Sequence, residues 1–187
     1  KPVNIIAIMS ESFDDFAEFE NLSLSEDPAP FFHSLKENTI KGRMYSPVTG
    51  GGTANVEYEY LTGNSLSFLP EGTVAYQLYI KDNAPSLVQQ MKSQGYETTA
   101  FHPYLASGWP DVYSSFKFDN QIFSEDLENE EIIRKYISDS FDFKTIFDIT
   151  DNADNPQFIF NVTMQNHSAY DKPWAGQKYH VTPVDNC

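Results

Sequence analysis

The sequence predicts an α/β fold with a mostly parallel sheet and helices on both of its faces. Two short runs, Val3 to Met9 and Gln157 to Met164, have the continuous apolar pattern of strands buried on both sides. Between them, segments of helical period alternate with strand-like ones, as where Asn83 to Gly95 is followed by Tyr96 to Phe101. Such alternation gives parallel pairing through crossover connections. In sheets of this kind ligands bind beyond the carboxyl ends of the strands.

The elements follow in chain order. Val3 to Met9 is the first strand and ends in Ser10-Glu11-Ser12. After an acidic loop, Pro30 to Asn38 reads as a helix with proline in its first turn, and Thr39 to Tyr45 as a short strand. Gly50-Gly51-Gly52 then allows a tight turn into a helix that places Val56, Tyr60 and Leu61 on one face and stops at Gly63. Asn64 to Lys81 is aromatic and irregular and reads mostly as loop. Asn83-Ala84-Pro85 opens a helix with Leu87, Val88 and Met91 on its apolar face, and Tyr96 to Phe101 forms a strand ending in His102. Trp109 to Phe116 predicts a short helix and Gln121 to Phe123 an edge strand. Glu128 to Ile137 and Phe141 to Ile149 are helical by period. Pro156 introduces the second apolar strand, which runs into Gln165-Asn166-His167, and Tyr170 to Cys187 shows no strong period.

With 187 residues, 40% of them hydrophobic, the chain can build one domain with a real core, and no linker or low-complexity tract divides it. The net charge of -15 excludes a nucleic-acid backbone as partner and repels an anionic membrane surface, unless a bound cation reverses the field locally. The only cysteine is Cys187, so no internal disulfide forms. No apolar run approaches the roughly 20 residues that span a bilayer. The chain starts at Lys1 without a signal-peptide pattern and reads as a piece of something longer, with any anchor or address outside it.

Three predicted strand ends carry groups of catalytic type, Glu11, His102 and His167, and Thr53 adds a helix start. A carboxylate and a deprotonated hydroxyl are hard oxygen donors suited to Mg or Mn, and histidine widens the choice toward Zn. A cation lowers the pKa of a threonine hydroxyl and makes it a usable nucleophile. The unpaired N–H groups at a helix start favour the anion under attack. His102 and His167 could hold substrate oxygens or protonate a leaving group. Each residue has a plainer alternative. Thr53 could be only an N-cap, Glu11 a solvated acid with Asp14 or Asp15 the ligand instead, and either histidine a hydrogen-bonded structural residue. Trp109 could be core or pocket wall. His33 and His180 read as structural, and the three Asn-X-Ser/Thr triplets, at Asn21, Asn161 and Asn166, as coincidental.

Ile8-Met9-Ser10-Glu11-Ser12, the Gly-Gly-Gly-Thr-Ala-Asn-Val-Glu run, His102 with Trp109 seven residues on, and Met164-Gln165-Asn166-His167 together resemble the lipoteichoic acid synthase family. These are phosphoglycerol transferases of the alkaline phosphatase and sulfatase superfamily, and the resemblance covers most of the chain in the right order. It implies the N-terminal part of an alkaline phosphatase-like domain, spanning 1–187, on the extracellular face of a cell membrane and tethered by helices outside this chain. By that resemblance Thr53 is the catalytic nucleophile that takes up glycerol phosphate from phosphatidylglycerol. Glu11 and Thr53 bind Mn or Mg, His102 and His167 hold the substrate, Trp109 lines the pocket, and the acceptor is a glycerol phosphate polymer or glycolipid. Two departures stand out. The family's phosphate-gripping arginine, two residues after the tryptophan, is replaced in Pro110-Asp111-Val112-Tyr113, and no Asp-His pair occurs in the chain to complete the metal site. A sulfatase- or phosphodiesterase-type hydrolase and a non-catalytic binding domain are the alternative readings. An incomplete sheet would also leave an exposed edge and uncovered apolar area.

Overall fold

The computed structural model describes residues 3–49, 51–81, 84–170, 176 and 181–184. In chain order the regular elements are β1 (Ile5–Met9), α1 (Pro30–Ser34), α2 (Thr53–Thr62), α3 (Ala75–Leu78), α4 (Leu87–Ser93), β2 (Glu97–His102), α5 (Trp109–Ser115), β3 (Asn120–Phe123), β4 (Ile132–Ile133), β5 (Tyr136–Ile137), α6 (Asp139–Asn152) and β6 (Gln157–Val162). The chain divides into two compact units, Lys1–Glu11 with Tyr45–Gln165 and Ser12–Met44 with Asn166–Cys187.

The first unit is built on a four-stranded sheet in the order β1-β6-β2-β3, parallel throughout, with Met9 opposite Val162 and Phe101 opposite Asn161. The central strands β6 and β2 are the ones whose residues are buried almost without interruption, which is what parallel pairing between covered faces demands. Phe158, Phe160, Val162 and Ala100 project to one side and meet Tyr58, Leu61, Val88, Tyr113 and Phe116 from α2, α4, α5 and the turn after it. Phe101 and Ile159 project to the other and meet Ile146 of α6. Helices therefore cover both faces, as predicted.

The second unit is held by polar contacts as much as by apolar ones. His33 of α1 lies between two carboxylates, at 2.7 Å from Asp15 and 2.7 Å from Asp27. Both hydrogen bonds raise the His33 pKa, the one to Asp15 first. Phe13 meets Phe32 edge-on at 5.7 Å, and Leu24 bridges to Pro183. The structural role expected of His33 is what the structure shows, whereas His180 lies outside the described residues.

Several predicted elements differ. β1 was expected to be buried on both faces, but it is an edge strand of the sheet. Ile5, Ala7 and Met9 join the core while Ile6 and Ile8 remain 39% and 45% exposed. The first helix stops at Ser34 because Leu35 turns extended, and Thr39 to Tyr45 pairs with no strand among the described residues, leaving Ile40 and Met44 exposed. Glu128 to Ile137 is not a helix. Ile132 and Ile133 pair antiparallel with Ile137 and Tyr136 around Arg134, whose φ is 61°. Asn64 to Lys81 contains the short helix α3 and a single 3-10 turn at Leu66–Phe68. On α2 the buried residues are Asn55, Glu57, Tyr58 and Leu61, not Tyr60, which is 45% exposed and stacks on Phe160 at 5.6 Å. The last strand ends at Val162 rather than Met164.

Candidate active site

The site is organised by the carboxyl end of β6. Beyond its last residue, the Thr163 hydroxyl accepts a hydrogen bond from the Glu11 N–H at 3.1 Å, and the Thr163 N–H donates to the Met9 carbonyl at 3.1 Å. On the other side of the same strand, Nδ1 of His102 lies 3.1 Å from the Val162 carbonyl. A carbonyl only accepts, so Nδ1 carries the proton and, in the neutral ring, Nε2 carries the lone pair. One strand end thus fixes Glu11, which follows β1, and His102, which closes β2.

Thr53 reaches this edge from α2. Gly52 is the N-cap, in the left-handed region at φ 84°, with no side-chain cap. A Cβ there would press on Val48 Cγ1 at 3.3 Å, so a residue without one both takes the conformation and lets the loop close under the helix. Thr53 is then the first helical residue, and its hydroxyl does not cap the helix. It donates instead to Glu11 Oε2 at 3.2 Å, across 42 residues of chain. The N-cap alternative for Thr53 is set aside by this geometry. Asp14 and Asp15, the two alternatives to Glu11, belong to the second unit, where Asp15 is engaged by His33.

Trp109 is the first residue of α5, half-buried after Gly108, and its ring meets the His102 ring edge-on at 5.7 Å. Pro110 follows in the first turn, and Asp111 puts an acid in that same turn. His167 belongs to the second unit, five residues past the end of β6, where its Nδ1 donates to the Ser168 carbonyl at 3.1 Å. The structure therefore joins Glu11 to Thr53 by a hydrogen bond and His102 to Trp109 by ring contact, all within the first unit.

Several further residues shape this site without standing out in the sequence. Thr163 is wholly buried, and a threonine within an apolar strand carries no signal of its own. Asn55 holds the chain before α3, donating to the Thr73 carbonyl at 2.8 Å and accepting from the Ala75 N–H at 3.0 Å. Glu57, one turn beyond Thr53, is 1% exposed. Burial pushes its carboxyl up to about 8, against the opposing hydrogen bonds from Tyr113 and Tyr76.

Two hard oxygens 3.2 Å apart suit a divalent cation, since neighbouring ligands at about 2.1 Å in an octahedral shell lie about 3.0 Å from one another. Among the described residues, no group of three His, Cys, Asp or Glu side chains closes such a site. Glu11 and Thr53 thus have the spacing of one edge of such a shell.

The sequence profile of the sulfatase family matches residues 3–186. The chain belongs to the sulfatase family. A *Rhizobium meliloti* protein named for cyclic beta-1,2-glucan modification is 37% identical over 170 residues, covering 90% of this chain and 26% of that protein. An uncharacterized *Haemophilus influenzae* protein is 21% identical over 184 residues, covering 91% of this chain and 33% of that one. Among solved structures, the lipoteichoic acid synthase LtaP from *Listeria monocytogenes* superposes with a TM-score of 0.76 at 20% identity, over 91% of this chain and 42% of that one. The likeness shows the fold expected, an α/β fold with a parallel sheet between helices. This sulfatase-family chain spans about a quarter to a third of the length of the curated relatives it matches.

Proposed function

We propose that this chain is the sulfatase-like catalytic part of a metal-dependent phosphoglycerol transferase. The supporting observation is the Thr53 hydroxyl at 3.2 Å from Glu11 Oε2, at a helix start and beside the carboxyl ends of parallel strands. Thr53 Oγ1 gives up its proton to solvent and forms a bond to the phosphorus of a phosphatidylglycerol-type donor, and the bond from phosphorus to the diacylglycerol oxygen breaks. The glycerophosphoryl group then passes to an acceptor hydroxyl on a cell-surface polymer or glycolipid. A glucan belongs to that acceptor class, in keeping with the relative named for glucan modification.

Glu11 and Thr53 would hold Mn or Mg, which supplies charge neutralisation and an acidified hydroxyl when bound. Glu11 orients the Thr53 oxygen by accepting its hydrogen bond, and the α2 N-terminus directs N–H groups toward the anion. His102, held at Nδ1, presents Nε2, which in the imidazolium form donates the proton that the leaving oxygen takes. Trp109 walls the donor's glycerol portion. His167 is assigned to the substrate by its motif. No helix among the described residues is long and apolar enough to cross a membrane; the tether to the outer face of a membrane is part of the proposal and rests on the family resemblance.

Asp111, in the first turn of α5, favours a second reading, because an acid at that place weakens a phosphate grip. In that reading water replaces the acceptor and the chain is a sulfatase- or phosphodiesterase-type hydrolase, or it binds without turnover. The test uses full-length protein, vesicles of labelled phosphatidylglycerol and Mn. Transfer to a glycan acceptor that falls by roughly a thousandfold or more in Thr53→Ala supports the transferase. Release of glycerol phosphate into water supports the hydrolase, and a wild-type rate in Thr53→Ala overturns the nucleophile assignment.

A further inference from the structure

Glu57 is an expensive residue for a core. It is 1% exposed, and its Oε1 has no hydrogen-bond partner among the described residues, a combination that lowers stability relative to an apolar side chain of the same size. What it provides is geometry. Its other oxygen, Oε2, accepts from Tyr113 at 3.0 Å and from Tyr76 at 3.3 Å. Those two tyrosines, one on α5 and one on α3, also pack Trp109. Tyr113 stacks on it at 6.0 Å with an interplanar angle of 18°, and Tyr76 meets it edge-on at 5.8 Å and 87°. Trp109 in turn contacts the His102 ring.

We propose that Glu57 is a positioning residue. It fastens the helix that carries Thr53 to the two tyrosines that fix Trp109, so that nucleophile and pocket wall keep one mutual geometry. The inference rests on the assignment of Thr53 and Trp109 to the reaction given above. An acid one helical turn from the nucleophile thereby acts on substrate through Tyr76, Tyr113 and Trp109 without touching it. Asn55 supports the same arrangement from the neighbouring position, because its two bonds to Thr73 and Ala75 set the entry of α3 and hence the reach of Tyr76.

The test compares Glu57→Leu, Glu57→Gln and a Tyr76→Phe/Tyr113→Phe double variant in the full-length protein, with Trp174→Phe so that Trp109 fluorescence is read separately from that residue. Glu57→Leu is expected to shift Trp109 emission and to lower kcat/KM for the labelled phospholipid at least roughly tenfold, chiefly through KM, since small displacements of a binding wall have effects of that size. Glu57→Gln, which keeps an acceptor oxygen, restores the emission and stays within about threefold of wild type. Should Glu57→Leu fail to fold, the double variant reads the same quantities. Wild-type emission and KM in Glu57→Leu or in the double variant overturn the proposal. If the emission shifts and is rescued by glutamine while wild-type protein turns over no phospholipid, the positioning role stands and the proposed reaction fails.

Discussion

Replacing Glu57 with glutamine should remove a pH dependence of stability that the wild-type protein carries. The carboxyl is held neutral in the folded protein up to about 8, whereas its ordinary value is 4.5, and burial is the main cause. A group whose folded pKa is raised binds its proton in the folded state and has lost it in the unfolded state between those two values. Stability therefore falls as pH rises through that window. At about 1.4 kcal/mol per pH unit, the interval from 4.5 to about 8 amounts to about 5 kcal/mol. Glutamine carries no titrating proton and keeps an oxygen for Tyr76 and Tyr113. Urea unfolding of the chelator-treated full-length protein at intervals from pH 5.5 to 7.5 should show wild type losing stability faster than Glu57→Gln, by about 1.4 kcal/mol per pH unit. Asp142, which burial also raises to about 7, contributes equally to both proteins and cancels in the comparison. Parallel curves would mean that Glu57 is ionised in the fold and that this reasoning is wrong.

Two further outcomes follow from the geometry. Thr163→Val removes the acceptor for the Glu11 N–H and should lower stability by about 1 to 2 kcal/mol. It should also weaken Mn binding by roughly tenfold or more, as loss of groups that orient a ligand does; urea unfolding and calorimetric Mn titration measure the two effects. His33, between Asp15 and Asp27, should titrate above its ordinary 6.5 by NMR, and Asp27→Asn should bring its midpoint down; a midpoint at or below 6.5 would contradict the clasp.

The parts of the fold legible in the sequence were those with a single physical solution. Val3 to Met9 and Gln157 to Met164 are apolar enough to require strands, although only the second is buried on both faces, and Gly63 closes the Thr53 helix in the left-handed region at φ 69°. The β4–β5 hairpin was read as helix because Ile132, Ile133, Tyr136 and Ile137 recur at spacings that suit one helical face as well as two short strands. Its turn carries Arg134, with φ 61°, where a sequence reader looks for Gly or Asn. Thr39 to Tyr45 has strand-like residues, but strand propensity alone does not supply a partner edge.

In the candidate site, Glu11, Thr53 and His102 were visible as unusual residues at element ends. Thr163 and the Val162 carbonyl were not, because their role comes from where β6 lies between β1 and β2. Glu57 was hidden for a related reason. An acid beside Val56 on a short helix reads as solvent-facing, and only the approach of α3 and α5 shows that it is enclosed and shared by two tyrosines.

The central claim is that Thr53 carries the transferred group. Full-length protein mixed with phosphatidylglycerol and Mn, quenched in acid before acceptor is added and digested for mass spectrometry, tests it directly. The account predicts a glycerophosphoryl mass on the peptide holding Thr53, absent in Thr53→Ala and discharged by a glycan acceptor. Turnover of the donor with no adduct on that peptide would contradict it.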